Sequence, residues 1–470
     1  MISQYNKGKQ GNVAEYNANN AWLYNGNNGC LNNNNKNNTN SVRPTLDSHY
    51  VKGSLEGAVV PLAAWYPVYR TCRRHCGRKH LHLRFRYGWM VLRLINTAAD
   101  VAMFEYIPGM AVCFMIERPR LREIIAAMFD DKMVQTLFCS AVMPMLEAKV
   151  LDDDSYACRK GKGGLRAVLT FQEYVFEESC GYTRDVWLAK RDIRGFFMSI
   201  DTNIGTSELC AFIQENTQPG PMRDMLLYLA RVIYQSLPQM HCRVQSPESL
   251  HQALPEYKRM RGKASFKGVA IGNMTSQMMA AFYVTRYLFV LRAKGYRFVH
   301  YTDDTAIVVR DRSRWLDDQR WLAAWMKKEL ALELHPDKVY LQHYSKGIEM
   351  LGYKLRFNRI LPSDRIVHNF RWRVRCMGRK ANENRAYMFA NVEHFMQSAN
   401  SYLGLLGWCN TERLRAEIVE EMKADGFGRL LSFPEGNRKT NIKPPYTRTA
   451  HYKRLNKKRK KSLKLWICKA

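Results

Sequence analysis

Residues 296–309 read Tyr296-Arg297-Phe298-Val299-His300-Tyr301-Thr302-Asp303-Asp304-Thr305-Ala306-Ile307-Val308-Val309. The arms on either side of Thr302-Asp303-Asp304 are rich in β-branched and aromatic residues, which suit a pleated, half-buried backbone. The two aspartates are therefore predicted to sit in the turn of a β-hairpin. Adjacent carboxylates at a hairpin tip repel each other unless a cation neutralises them. Mg²⁺ suits the place, because it takes oxygen ligands and keeps room for substrate phosphates. A solvated Asp-Asp turn has the same local sequence, so the reading needs a further carboxylate from elsewhere in the chain.

Working outward, the candidate is Asp192, in Leu188-Ala189-Lys190-Arg191-Asp192-Ile193-Arg194-Gly195-Phe196-Phe197-Met198-Ser199-Ile200. An apolar strand leads in, the carboxylate stands at its end, and Gly195 lets the chain turn tightly. Three carboxylates would serve a two-metal site, whose ions lie roughly 3.5–4 Å apart. A structural aspartate at a strand end is the plainer reading, but it accounts for neither the Phe-Phe pair nor the partner hairpin.

The bulk properties agree with a charged partner. The chain has 470 residues, 46% of them hydrophobic, enough to build a core. Its 73 Lys and Arg against 42 Asp and Glu leave a net charge of +31. An excess of that size points to a polyanion, since each phosphate neutralised releases a counterion. A ribosomal-type structural protein or a membrane-surface protein would carry a similar balance. The 12 cysteines are scattered, many in apolar surroundings such as Cys113, Cys139 and Cys210, as in a reduced, cytoplasmic protein. Met1–Gln10 lacks the apolar core of a secretory signal, and the apolar run 278–291 is broken by Thr285 and Arg286, too short and polar to cross a bilayer. The expectation is a soluble protein with no membrane partner.

The sequence divides into five segments. Residues 1–46 are Asn-rich, with about half of Asn12–Asn40 being Asn, and are expected to be disordered. Residues 47–151 form a basic N-terminal region, read as dominated by helical periodicity. Residues 152–365 mix β-rich runs with amphipathic helices. Residues 366–430 look helical, with Phe395, Tyr402 and Leu405 among the expected buried positions. Residues 431–470 are a basic tail containing Lys457-Lys458-Arg459-Lys460-Lys461.

The Asp192 and Asp303-Asp304 runs together resemble motifs A and C of the reverse transcriptase family, in order and spacing, over about residues 60–420. The resemblance implies an α+β right-hand polymerase: fingers, a palm with an antiparallel sheet and helices, and a helical thumb. By this resemblance 47–151 begins the fingers, 152–365 completes fingers and palm, and 366–430 is the thumb. Asp192 and Asp303 would be the primary metal ligands and Asp304 the third carboxylate. They would hold two Mg²⁺ ions, with Mn²⁺ as a substitute. One ion would lower the pKa of the primer 3′-hydroxyl and the other would stabilise the leaving pyrophosphate. Phe197, five residues after Asp192, falls at the family's steric-gate position, where a ring would collide with a ribose 2′-hydroxyl. A core aromatic would read the same.

Other stretches fall into place. Glu117-Arg118-Pro119-Arg120-Leu121-Arg122-Glu123-Ile124 resembles the first fingers motif and Ser155-Tyr156-Ala157-Cys158-Arg159-Lys160-Gly161-Lys162-Gly163 the second. Arg159, Lys160 and Lys162 are candidates to reach the triphosphate of a dNTP, although a solvated basic loop has the same look. His335-Pro336-Asp337-Lys338 resembles motif D, whose lysine would protonate the leaving pyrophosphate; a surface lysine is the alternative. Glu349-Met350-Leu351-Gly352-Tyr353 matches the primer-grip region, and Ser401-Tyr402-Leu403-Gly404 lies in a thumb-like helix.

The B motif, Val269-Ala270-Ile271-Gly272-Asn273-Met274-Thr275-Ser276-Gln277, departs from most of the family. Ile271 stands where Gln is usual and Gln277 where Pro is usual. With the Cys158–Gly163 run it closely resembles the reverse transcriptases of diversity-generating retroelements, within the bacterial and phage group II intron-like superfamily. Gly272 is expected to let the backbone approach the nascent base pair. Ile271 cannot donate the hydrogen bond that Gln offers beside the incoming nucleotide, which implies loosened selection and errors concentrated at template adenines. The resemblance also implies a template RNA, an RNA/DNA hybrid and a small accessory variability protein as partners. Asn codons carry two adenines followed by a pyrimidine, so randomising those adenines creates no stop codon. The Asn tract therefore reads as a translated template repeat, as a frame whose start is placed too early, or as a dispensable low-complexity tail.

Weaker signals remain. Cys72, Cys76, His80 and His82 have zinc-ligand chemistry but not a strong finger spacing, and a basic helix contacting RNA is the preferred reading. Cys180 and Cys409 show no partner base. Tyr446, Tyr452 and Trp466 in the basic tail suit stacking on bases.

Overall fold

The computed structural model describes residues 22–25, 30–33, 62–75, 90–117, 120–434, 436 and 438–443. Within the Asn-rich segment it places strands β1 (Trp22–Asn25) and β2 (Cys30–Asn33) in an antiparallel hairpin.

Helices Leu62–His75 and Met90–Ala102 open the next part. Strands β3 (Ala111–Ile116) and β4 (Arg122–Ala126) follow as an antiparallel pair, joined on the far side of β3 by the parallel strand β6 (Cys242–Val244). This hairpin lies inside the stretch read as helical. Its arms are runs of five and six residues, and an apolar run that short does not distinguish strand from helix by periodicity.

The centre is a four-stranded antiparallel sheet in the order β7-β8-β5-β9: β5 (Trp187–Ile193), β7 (Arg297–Tyr301), β8 (Asp304–Val309) and β9 (Leu334–His343). Side chains alternate between its faces. Ala189, Phe298, Ile307 and Val309 enter one core, beneath helices Thr202–Asn216, Met274–Tyr283 and Thr285–Ala293. Leu188, Val299, Ala306 and Val308 enter a second, with helix Gly164–Glu178. Burial on both faces is why β8 reads as an unbroken apolar run rather than an alternating one.

A three-stranded sheet of β10 (Ile348–Met350), β11 (Tyr353–Arg356) and β12 (Arg359–Pro362) leads into helices Asp364–Glu383, Arg385–Leu406 and Glu412–Ala424, which share a third core. Phe395 is fully buried there, while Tyr402 and Leu405 are half-buried. Among the described residues no helix is long and apolar enough to cross a membrane; the run 278–291 is two helices meeting at Val284. Cys76, His80, His82 and the tail beyond residue 443 lie outside the described residues.

Candidate active site in the central cavity

The expected hairpin is present. Tyr301 pairs with Asp304, leaving Thr302 and Asp303 as a two-residue turn. Thr302 has φ +61°, the left-handed conformation that the first position of a primed hairpin turn requires and that a β-branched residue rarely adopts. On the next strand Asp192 stands directly opposite Asp304 in the β5–β8 register. The pairing of β5 with β9 shifts register between Arg191 and Ile193, so the ladder is irregular at Asp192. Gly195 follows with φ +57°, and a Cβ there would lie 3.0 Å from the Tyr257 carbonyl oxygen. That tight corner starts the short helix Phe196–Ser199 and presents half-buried Phe197 to the cavity.

The cavity has a volume of about 1160 Å³, and its wall includes Asp192, Asp303, Asp304, Phe197, Ile271, Gln277 and Lys338. Asp303 is pushed up to about 6, first by burial and then by the charges of Asp304 and Asp192, with Arg122 acting in the opposite sense. Two lysines lean on the outer carboxylates: Lys190 Nζ lies 3.2 Å from Asp304 Oδ1, and Lys338 Nζ 2.5 Å from Asp192 Oδ2. Among the described residues, the only His, Cys, Asp or Glu trio with ligand atoms all within 4.8 Å of one another is Cys113, Glu123 and His251, so the three aspartates stand wider than that. Their chemistry still fits a divalent cation: hard oxygen donors from three residues, a half-buried central carboxyl with like charges on both sides, and ammonium groups drawn to the outer two.

The B motif is stitched to β4. Ile125 N–H donates to the Ile271 carbonyl at 3.0 Å. Asn273 Nδ2 donates to the Ile125 carbonyl at 3.1 Å, and its Oδ1 accepts from Ala127 N–H at 2.9 Å. Gly272 has φ +117°, and a Cβ there would sit 2.7 Å from Ile124 Cγ2. Glycine is thus required by contact within the protein, a source of the requirement that differs from the expected approach to a base pair. Gln277 accepts from Cys158 Sγ at 3.2 Å, which joins the two stretches whose resemblance was most specific.

The basic loop differs from its sequence reading. Arg159 is buried, and its Nη1 donates to the carbonyls of Asp152 at 2.6 Å and Ser155 at 3.0 Å, with Glu147 3.7 Å from its Nε. It therefore faces the chain rather than the cavity. Lys162 donates to the Asp153 carbonyl and lies over the Tyr156 ring, and Lys160 is exposed. The cations on the cavity wall are instead Arg120, Arg122, Lys190, Lys258, Lys338 and Arg365. The signal that sequence reading passed over is the pair Arg120 and Arg122 at the start of β4, both of which line the cavity. Glu349, Met350, Leu351 and Gly352 also line the cavity, as does His335.

With this geometry in place, the comparisons with known proteins are as follows. The sequence family described as "Reverse transcriptase (RNA-dependent DNA polymerase)" matches residues 118–355, just over half of the chain. No curated protein matches it. Similar solved structures include telomerase from Candida tropicalis truncated from its C-terminal domain (10% identity, TM-score 0.40, 54% of this chain and 55% of that one). Telomerase from the same organism in complex with the TWJ fragment of telomeric RNA gives 10% identity and TM-score 0.41, over 68% of this chain and 53% of that one. The corresponding Candida albicans complex gives 10% identity and TM-score 0.40, over 69% and 58%. The chain spans somewhat over half the length of these structures.

Proposed function

The chain belongs to the reverse transcriptase family, and from that premise we propose that it is an RNA-directed DNA polymerase that makes error-prone cDNA from the template-repeat RNA of a diversity-generating retroelement. The observation that carries the polymerase reading is the placement of Asp192 opposite Asp304, with Asp303 in the adjoining turn, on the wall of one large cavity.

In this reading Asp192, Asp303 and Asp304 hold the divalent ions, Mg²⁺ or Mn²⁺. When bound, the ions make the primer 3′-hydroxyl a better nucleophile and offset charge on the leaving pyrophosphate. The primer oxygen attacks the α-phosphorus of the dNTP, and the bond to pyrophosphate breaks. Lys338, already beside Asp192, supplies a proton to the departing pyrophosphate. Phe197 bars a ribose 2′-hydroxyl. Arg122, whose charge acts on Asp303, and Arg120 beside it on the wall would bind the triphosphate, alongside the basic loop's Lys160 and Lys162. Ile271 on the wall supports the mutagenic reading, because an aliphatic side chain offers no hydrogen bond to the incoming nucleotide.

The test is cDNA synthesis on the neighbouring template RNA with Mg²⁺, the products sequenced, and Asp303→Ala with Asp304→Ala as the control. Substitutions clustered at template adenines, reduced by Ile271→Gln, are the expected outcome. Adenine errors unchanged by Ile271→Gln would remove that residue from the explanation. Accurate cDNA would move the protein to another bacterial class, of retron, phage-defence or intron type. No cDNA, even with a small accessory protein from the same locus added, would leave an RNA-binding palm without activity. A near-copy of the Asn-tract DNA differing only at adenines is expected beside the gene, and its absence would sink the template-repeat reading.

A further inference from the structure

A second group of metal-ligating side chains lies outside the three aspartates, where β3, β4 and β6 meet. Cys113 on β3, Glu123 on β4 and His251 in the helix Glu248–Gln252 are all buried, at 0%, 2% and 2% exposure. Their ligand atoms all fall within 4.8 Å of one another. Cys242 on β6 packs into the same small core as Cys113. The strand registers explain this: Cys242 pairs with Ala111, two residues from Cys113 and so on the same face of β3. We propose that Cys113, Glu123, His251 and Cys242 bind one structural Zn²⁺ ion.

A buried histidine–glutamate pair is the plainer reading, and it accounts for part of the group. Glu123 Oε1 accepts from the backbone N–H of Met260 at 2.7 Å and of Arg261 at 3.0 Å, while Oε2 lies 3.4 Å from His251 Nδ1. It leaves His251 Nε2 buried with no hydrogen-bond partner. An unsatisfied buried polar atom is destabilising. Cys242 Sγ meets the Gln239 carbonyl at 3.7 Å, beside the trio of Cys113, Glu123 and His251. Thiolate, imidazole and carboxylate together select Zn²⁺, which takes four such ligands in tetrahedral array, and disfavour Mg²⁺, which keeps to oxygen. The two sites therefore do not compete for one metal. Their connection is mechanical: the ion ties β3, β4, β6 and residue 251 together, and β4 carries Arg122 onto the cavity wall next to Glu123.

Cys72 belongs elsewhere, since its sulfur lies 3.2 Å from Thr136 Oγ1 and 3.6 Å from the Lys132 carbonyl. The experiment is elemental analysis of the full chain after gel filtration in metal-free buffer. About one zinc per chain is expected, falling at least about tenfold in Cys113→Ser and in His251→Gln. It should persist in a Cys76→Ser/His80→Gln variant, which removes the other Cys/His group. Because the first two variants strike buried residues and can misfold, the Cys76→Ser/His80→Gln protein is also loaded with Co²⁺. A thiolate-to-cobalt charge-transfer band there supports the site without relying on a core substitution. No zinc together with no cobalt band would overturn the proposal, as would zinc lost with Cys76 and His80 but kept in Cys113→Ser.

Discussion

Two charged turns flank the reading of this chain, and they are built oppositely. The acidic turn 301–304 and the basic loop 158–163 both rely on left-handed backbone, at Thr302 in one and at Cys158, Gly161 and Gly163 in the other. In the basic loop the chain satisfies its own charges: Arg159 is buried on two carbonyls and Lys162 bonds to a third. In the acidic turn the chain raises its own electrostatic cost: burial first, and then the charges of Asp304 and Asp192, lift Asp303 to about 6. The two runs of charge thus differ in setting: the basic loop turns its cations onto its own carbonyls, whereas the acidic turn holds a carboxyl near two others, with lysines only on the outer pair. His300 couples the two: its N–H donates to the Asp154 carbonyl, and its own carbonyl accepts from Tyr156 N–H.

Four measurements would break or sharpen this contrast. The largest effect is expected from Asp303→Asn, which should cut primer extension by about 10³-fold or more while leaving the melting temperature unchanged or higher, because a like-charge repulsion is removed. A melting point that falls along with activity would make the turn structural. Next, Arg159→Ala should destabilise the fold by about 2–4 kcal/mol in denaturant titration, since buried charge-assisted bonds are lost. Arg122→Ala should instead raise the KM for dNTP by about tenfold with little change in stability. If the two variants exchanged these phenotypes, the assignment of the basic loop to structure would fail.

The third measurement uses the joint between the turns. Burial lowers the His300 imidazole to about 4, below its ordinary value, so the folded state binds fewer protons than the unfolded state between those values. Its contribution is present above about pH 6.5 and is lost as pH falls toward 4, amounting to about 3 kcal/mol. Denaturation of His300→Gln compared with the parent across that window should show a shallower fall; parallel curves would place the titration elsewhere. The smallest effect is expected from Thr302→Gly, which relieves the left-handed strain and should stabilise by about 1 kcal/mol. Destabilisation would mean that Thr302 contributes contacts worth more than its backbone strain.

Strands β5, β7 and β8 were legible because they are buried enough to announce themselves as apolar runs, and because the polar break at Thr302-Asp303 could only be a turn; β9, largely exposed and opening on His-Pro-Asp-Lys, carries no such pattern. Asp192 was legible as a strand end, but its position directly opposite Asp304 depends on β5–β8 pairing, which no local pattern encodes. The β3–β4 hairpin was read as helix because its arms are too short to show a period. In sequence a buried arginine and a ligand-facing one read alike, and for Arg159 the carbonyls of Asp152 and Ser155 that meet it set it apart. Gly272 was recognised as necessary, yet the neighbour that makes it so, Ile124, lies more than a hundred residues away. The family match over 118–355 covers the sheet and most of the cavity wall, and stops before the helices beyond 364 that add Arg365 and Ile366 to it.

The strand order has a consequence for how the molecule comes into being. β5 lies inside the sheet, yet both of its neighbours, β8 and β9, are made more than a hundred residues later. A growing chain released up to Ile193 would hold Asp192 on a strand with two open edges. Pairings of such high contact order form slowly and leave apolar edges exposed until they close. The carboxylate site is therefore assembled late in synthesis. A chain truncated before Val309 should lack the activity and also aggregate through β5.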